Sequence, residues 1–149
     1  MATNEDWETW KSYLFTASRI LAGAETQLQA EANISLSDFD VLVTLHSAPD
    51  HSLSMSCLKE TVLVTTSGLS RSVSRLHSRG WLLKESAPHD KRQITVTLTP
   101  EGKHALLEIQ PIHYSYVRER FFEALSAKDQ RALGLALTHL SDHLLSENS

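Results

Sequence analysis

The chain has 149 residues and a formal net charge of −4, a length for one domain with a core of its own and a charge sum that by itself argues against nucleic acid. Its one cysteine, Cys57, excludes an internal disulfide and a multi-cysteine zinc site. No apolar run is long enough to span a membrane, and the N-terminus is polar and acidic rather than signal-like, so a cytoplasmic protein is expected.

Residues 5–32 read as one long helix. Thr3 or Asn4 can cap it, and Glu5 and Asp6 suit the positive end of its dipole. Trp7, Trp10, Leu14, Ala17, Leu21, Ala24 and Leu28 alternate at spacings of three and four, a sustained seam for another helix, which Phe15 and Ile20 widen. Ser35 with Asp38 starts a second helix that ends near His46, with Phe39, Leu42, Val43 and Leu45 internal. Residues 48–52 form a connecting loop. Ser54 caps a short third helix with Leu58 and Val62 facing inward, and the uncharged run Val62-Leu63-Val64 fits a turn packed against the core.

The next helix is read from Thr65, as N-cap, to Ser78, with Gly80 as its stop. Leu69, Val73 and Leu76 share one face. The other carries Thr66, Ser67, Ser70, Arg71, Ser74 and Arg75, with no carboxylate among them. Short hydroxyls let a helix enter a major groove, and arginine pairs bidentately with guanine, so Thr65, Thr66, Ser67, Ser70, Arg71, Ser74 and Arg75 are the candidate DNA contacts of this helix. The competing reading is a solvated surface helix that happens to be basic.

Leu82 to Ser86 suits a strand, Ala87-Pro88-His89-Asp90 a turn, and Ile94, Val96 and Leu98 alternate with polar residues along a second strand. The hairpin tip carries Lys91 and Arg92, which can reach a minor groove. Asp90 is expected to pair with Arg92 and hold its guanidinium in one pose. Residues 54–99 hold seven Lys/Arg against three Asp/Glu, a net of +4, so the other residues carry −8 and the positive charge gathers where the helix and hairpin lie.

Thr99-Pro100-Glu101 opens another helix, with Leu106, Ile109, Ile112, His113 and Tyr116 on its apolar side. Ser126 with Asp129 starts the last, lined by Leu133, Leu137, Leu140 and Leu144. The outer helices carry more apolar stripe than a small reading head covers, which points to a homodimer interlocked through its first and last helices.

Asp90-Lys91-Arg92 followed by Val96-Thr97-Leu98-Thr99-Pro100-Glu101-Gly102 resembles the wing signature of the MarR family (multiple antibiotic resistance regulators), and Leu58 through Trp81 is similar to that family's two central helices. The resemblance spans essentially the whole chain. It implies a mainly α fold with a small β-wing: one winged helix-turn-helix domain over 1–149, with 34–99 for DNA and 1–33 and 100–149 for dimerisation. It also implies that Asp90 orients Arg92 for the minor groove, and it favours the homodimer. Cys57 departs from the pattern, since a charged residue is more usual there.

No HExxH, G-x-G-x-x-G, Walker lysine loop or G-x-S-x-G occurs, so no catalytic residues and no enzyme activity are expected. Cys57, at a helix start, admits a redox-sensing reading against the blander one of a partly buried, inert thiol. Members of the resembling family that sense peroxide commonly carry their cysteine in the first helix, and this chain has none there. Among eight histidines, His139 and His143 have zinc spacing but no third ligand, so no metal and no cofactor are expected. Trp10, Tyr13, Arg19, His46, His113 and Tyr116 are candidate ligand-pocket residues, because the resembling family often binds aromatic or phenolic effectors between its dimer helices and its reading head. The same residues also suit a satisfied core edge.

The expected function is therefore a dimeric, sequence-specific regulator, a repressor on a palindromic double-stranded operator released by a small-molecule effector. The alternatives are a DNA-binding redox or metal sensor and an effectorless architectural DNA binder.

Overall fold

A computed structural model describes residues 1–64 and 67–147. The elements are α1 (Asn4–Ala32), α2 (Leu36–Ser47), a 3-10 turn (Pro49–His51), β1 (Ser52–Ser54), α3 (Met55–Thr61), α4 (Leu69–Ser78), β2 (Leu82–Ala87), β3 (Asp90–Leu98), α5 (Pro100–Val117), a π turn (Arg118–Phe122) and α6 (Ala127–Ser146). The expected architecture, mainly α with a small β-wing, is the one observed. Among the described residues, no helix is long and apolar enough to cross a membrane.

The helix starts follow their capping chemistry. Thr3 and Asp6 form a reciprocal capping box on α1, and Ser35 and Asp38 form another on α2. Ser54 and Ser126 accept from the third backbone amides of α3 and α6. The sheet is antiparallel in the order β1-β3-β2. The strand β1 goes unanticipated because three residues with one apolar member carry no period. Its register is set by β3, with Leu53 opposite the buried Val96.

The chain divides into two compact units, Met1–His113 and Tyr114–Ser149. The core of the first includes Val41, Leu42 and Leu45 of α2 together with Leu28, Ile34, Leu58, Leu76, Leu82 and Leu106, all nearly inaccessible. On α1, only the C-terminal part of the seam enters this core. Ala24 and Leu28 are buried, whereas Trp7, Trp10, Leu14 and Leu21 are 44–55% exposed. In the second unit α6 has no buried residue, and Leu133, Leu137, Leu140 and Leu144 lie on its surface.

Candidate nucleic-acid interface

The polar helix is shorter than expected. It starts at Leu69, and Gly68 is its N-cap at φ 78°, the left-handed region. A helix running from Thr65 would need right-handed backbone at this glycine. Thr65 and Thr66 themselves lie outside the described residues. A side chain at Gly68 would be strained by that φ, and its Cβ would stand 3.2 Å from the Arg71 guanidinium, which curls back over the helix start. The far end agrees with expectation. Trp81 N–H donates to the Leu76 carbonyl and Gly80 N–H to that of His77, a Schellman stop with Gly80 left-handed.

The faces of α4 segregate sharply. Leu69, Ser72, Val73 and Leu76 are buried, while Ser70, Arg71 and Ser74 are exposed at positions spaced three and four apart, along one polar side, with the exposed Ser67 in the turn just ahead of the helix. That side can offer hydroxyls and a guanidinium to a groove.

Arg75, expected beside them, is committed elsewhere. Its Nη2 donates to Asp38 Oδ1 at 2.7 Å and to Ser72 Oγ at 3.0 Å. Asp38 is buried on α2. Burial alone would raise its carboxyl, but hydrogen bonds from Arg75, Ser72 and the Ser35 amide, with the Arg75 charge, hold it below the ordinary value. The same bond raises Arg75. Arg75 thus forms a joint between α2 and α4, with its side chain still half exposed. Arg79 is likewise engaged: it donates to the Asn33 carbonyl at 2.7 Å and lies over the Trp81 ring.

The turn before α4 is also built differently from expectation. Leu63 does not pack inward; it is 90% exposed. What turns inward is backbone. The Leu63 and Val64 amides donate to one oxygen of Asp40, Oδ2, at 2.7 and 2.9 Å. Asp40 is buried, and the sequence gives no sign of its role, since its partners are main-chain groups 23 and 24 residues away.

At the wing, Asp90 Oδ1 accepts from the backbone amide of Arg92 at 2.9 Å. The expected partner was the guanidinium. An aspartate accepting from the amide two residues on is an Asx turn, which shapes the hairpin and leaves the arginine side chain outward. Lys91 and Arg92 are exposed, and a register shift at Ser86/Ala87 accommodates the tight turn.

The candidate pocket residues fall into separate contacts. Trp10 stacks on Tyr13, both about half exposed. Arg19 lies over Phe15. His46 stacks on His51, whose Nδ1–H donates to the His46 carbonyl. His113 packs on Phe39, and burial lowers its pKa. Tyr116 belongs to the second unit. The Nδ1 atoms of His46 and His113 are buried with no hydrogen-bond partner among the described residues. Cys57 is exposed rather than part-buried, with its amide donating to Ser54 Oγ. Among the described residues, no cluster of three or more His, Cys, Asp or Glu could hold a metal ion. His143 lies beside Glu147.

Residues 32–93 match the family model described as MarR family. The chain is 32% identical to Sco3205, a MarR family transcriptional regulator from Streptomyces coelicolor solved in complex with DNA, with a TM-score of 0.85 over 97% of this chain and 90% of that one. It is 30% identical over 104 residues to the transcriptional repressor YetL of Bacillus subtilis, covering 70% of this chain and 62% of that protein. It is 29% identical over 115 residues to the transcriptional repressor MprA of Escherichia coli, covering 76% and 64%.

Proposed function

The chain belongs to the MarR family of transcriptional regulators, and from that premise we propose that it is a homodimeric, cytoplasmic repressor of an inverted-repeat operator, released by a small aromatic or phenolic ligand. One observation carries the DNA reading: the exposed Ser70, Arg71 and Ser74 line one side of α4, with Ser67 just ahead of it, and the opposite side of the helix is packed into the core. Such a helix enters a major groove without losing its own packing, and a hairpin tip bearing Lys91 and Arg92 reaches the flanking minor groove. DNA in the Sco3205 complex and the repressor names of YetL and MprA support the same reading.

A homodimer follows from the uncovered apolar surface. Trp7, Trp10, Leu14 and Leu21 on α1, and the leucines of α6, stand in water in a single chain, and a second copy is the partner that every such chain has. Two-fold symmetry then requires paired half-sites about one helical turn apart. Footprinting on the DNA upstream of the protein's own gene tests the proposal. One protected inverted repeat is the expected result, and uniform coverage of unrelated DNA speaks for an architectural binder. A thermal-shift screen of aromatic acids and phenols, repeated with His113→Ala, tests the effector.

A further inference from the structure

The N-terminus of α4 presents Ser67, Ser70 and Arg71, yet its cap, Gly68, contributes no side-chain hydrogen bond. The helix body is fixed by Leu69, Val73 and Leu76 in the core and by the Arg75–Asp38 pair. Ahead of Leu69, Ser67 is exposed and Gly68 is only half-buried. Upstream, Leu63 is almost wholly solvent-exposed, so its side chain does not anchor the turn either. The turn is anchored by a single oxygen of Asp40 that accepts two successive amides, and Asp40 is carried on the largely buried helix α2. A carboxylate accepting two N–H bonds makes short, charge-assisted contacts, stronger than neutral ones.

We propose that Asp40 is a positioning residue for DNA reading: it latches the turn between α3 and α4 onto α2 and so sets where Ser67, Ser70 and Arg71 meet a base-pair edge. This rests on the reading of α4 as the DNA-contacting helix. Groove recognition needs its side chains placed to within about half an ångström. A turn released from Asp40 lets the segment leading into α4 shift and tilts the start of the helix about its packed residues Leu69, Val73 and Leu76. Such a loss falls on sequence-specific contacts more than on phosphate attraction, which tolerates displacement. The sign separates this from a charge effect. Removing an acid beside phosphates tightens binding to any DNA, whereas removing a latch weakens binding to the preferred site.

The test uses the full-length protein and a duplex recovered by the wild type from a random-sequence library. Asp40→Ala removes the acceptor; Asp40→Asn keeps a carbonyl oxygen that can take both amides and removes the charge. The expected result is slow hydrogen exchange at the Leu63 and Val64 amides in the wild type and in Asp40→Asn, and fast exchange in Asp40→Ala. Affinity for the selected duplex should fall about tenfold or more in Asp40→Ala and stay within about threefold in Asp40→Asn, with a smaller change on unselected DNA. The proposal is overturned if Asp40→Ala binds the selected duplex as tightly as wild type, or if Asp40→Asn loses as much as Asp40→Ala. Fast exchange at the two amides in the wild type overturns it as well, even where Asp40→Ala does not fold. A wild type that recovers no duplex overturns the DNA reading instead, and the exchange rates then still report on the latch.

Discussion

Arg75 grips Asp38 through two nitrogens, Nη2 to Oδ1 at 2.7 Å and Nε to Oδ2 at 3.4 Å, and joins the middle of α4 to the start of α2. The same carboxylate closes the capping box of α2 with Ser35, so one buried group serves both a helix start and a helix–helix joint. Arg75→Ala leaves that carboxylate without its counter-charge. The cost expected from chemical denaturation is about 1–3 kcal/mol, below the full penalty for orphaning a buried ion because the arginine is half exposed. Arg75→Lys should recover only part of it, because an ammonium cannot form the fork. Equal stability of Arg75→Ala and wild type would return Arg75 to the DNA face.

Asp38 and His113 both contribute to the acid side of the stability curve. Asp38 has its folded pKa below the ordinary 3.8, so its contribution is complete above that value and is lost as pH falls through the folded pKa. His113 has its folded pKa below the ordinary 6.5 because burial disfavours the imidazolium. The unfolded chain then takes the proton first, and stability declines as pH drops below 6.5 toward the folded pKa. Melting temperature measured against pH should show both windows. His113→Asn should abolish the upper one, and Asp38→Asn should flatten the lower.

Arg71 is an exposed arginine of α4, beside Ser67, Ser70 and Ser74. If it reads guanine, Arg71→Ala costs roughly 1–3 kcal/mol per half-site and relaxes preference at one base position. Binding measured across a panel of single-base operator variants shows this. A uniform loss on every sequence assigns the residue to phosphate.

The wing separates charge from shape. Arg92→Ala should weaken operator binding and reduce the salt dependence by about one counterion per wing. Asp90 accepts from the Arg92 amide, so Asp90→Ala loosens the hairpin that presents the arginine and should weaken binding, although it removes a negative charge. Asp90→Asn, which keeps an acceptor, should bind nearly as wild type. Tighter binding by Asp90→Ala would show that the wing acts as plain positive charge.

Sedimentation at micromolar concentration should give about twice 16.7 kDa. Replacing Leu137 and Leu140 together with glutamate should yield monomers with little loss of helix, since both are already exposed in the single chain. A monomeric wild type would remove the paired half-site model.

Helices, caps and wing were legible in the chain because their causes are local. The Thr3/Asp6 and Ser35/Asp38 boxes, the Gly80 stop and the alternation of Ile94, Val96 and Leu98 each act within a few residues. The same holds for the segregated faces of α4 and the exposed Lys91 and Arg92, which together with the wing signature carried the family. Tertiary structure decided the rest. Arg75 looked like its neighbours until a carboxylate 37 residues away claimed it. Leu63 looked like a core residue until Asp40 drew its amide inward and turned its side chain out. The start of α4 moved to Leu69 because Gly68 took a left-handed backbone, which a glycine permits but does not announce. The periodicity of a sequence records which side of an element is apolar. It does not record which distant charge or main-chain amide a polar group will meet, because that choice is made only when α2, α3 and α4 pack together and each buried carboxylate must find its donors.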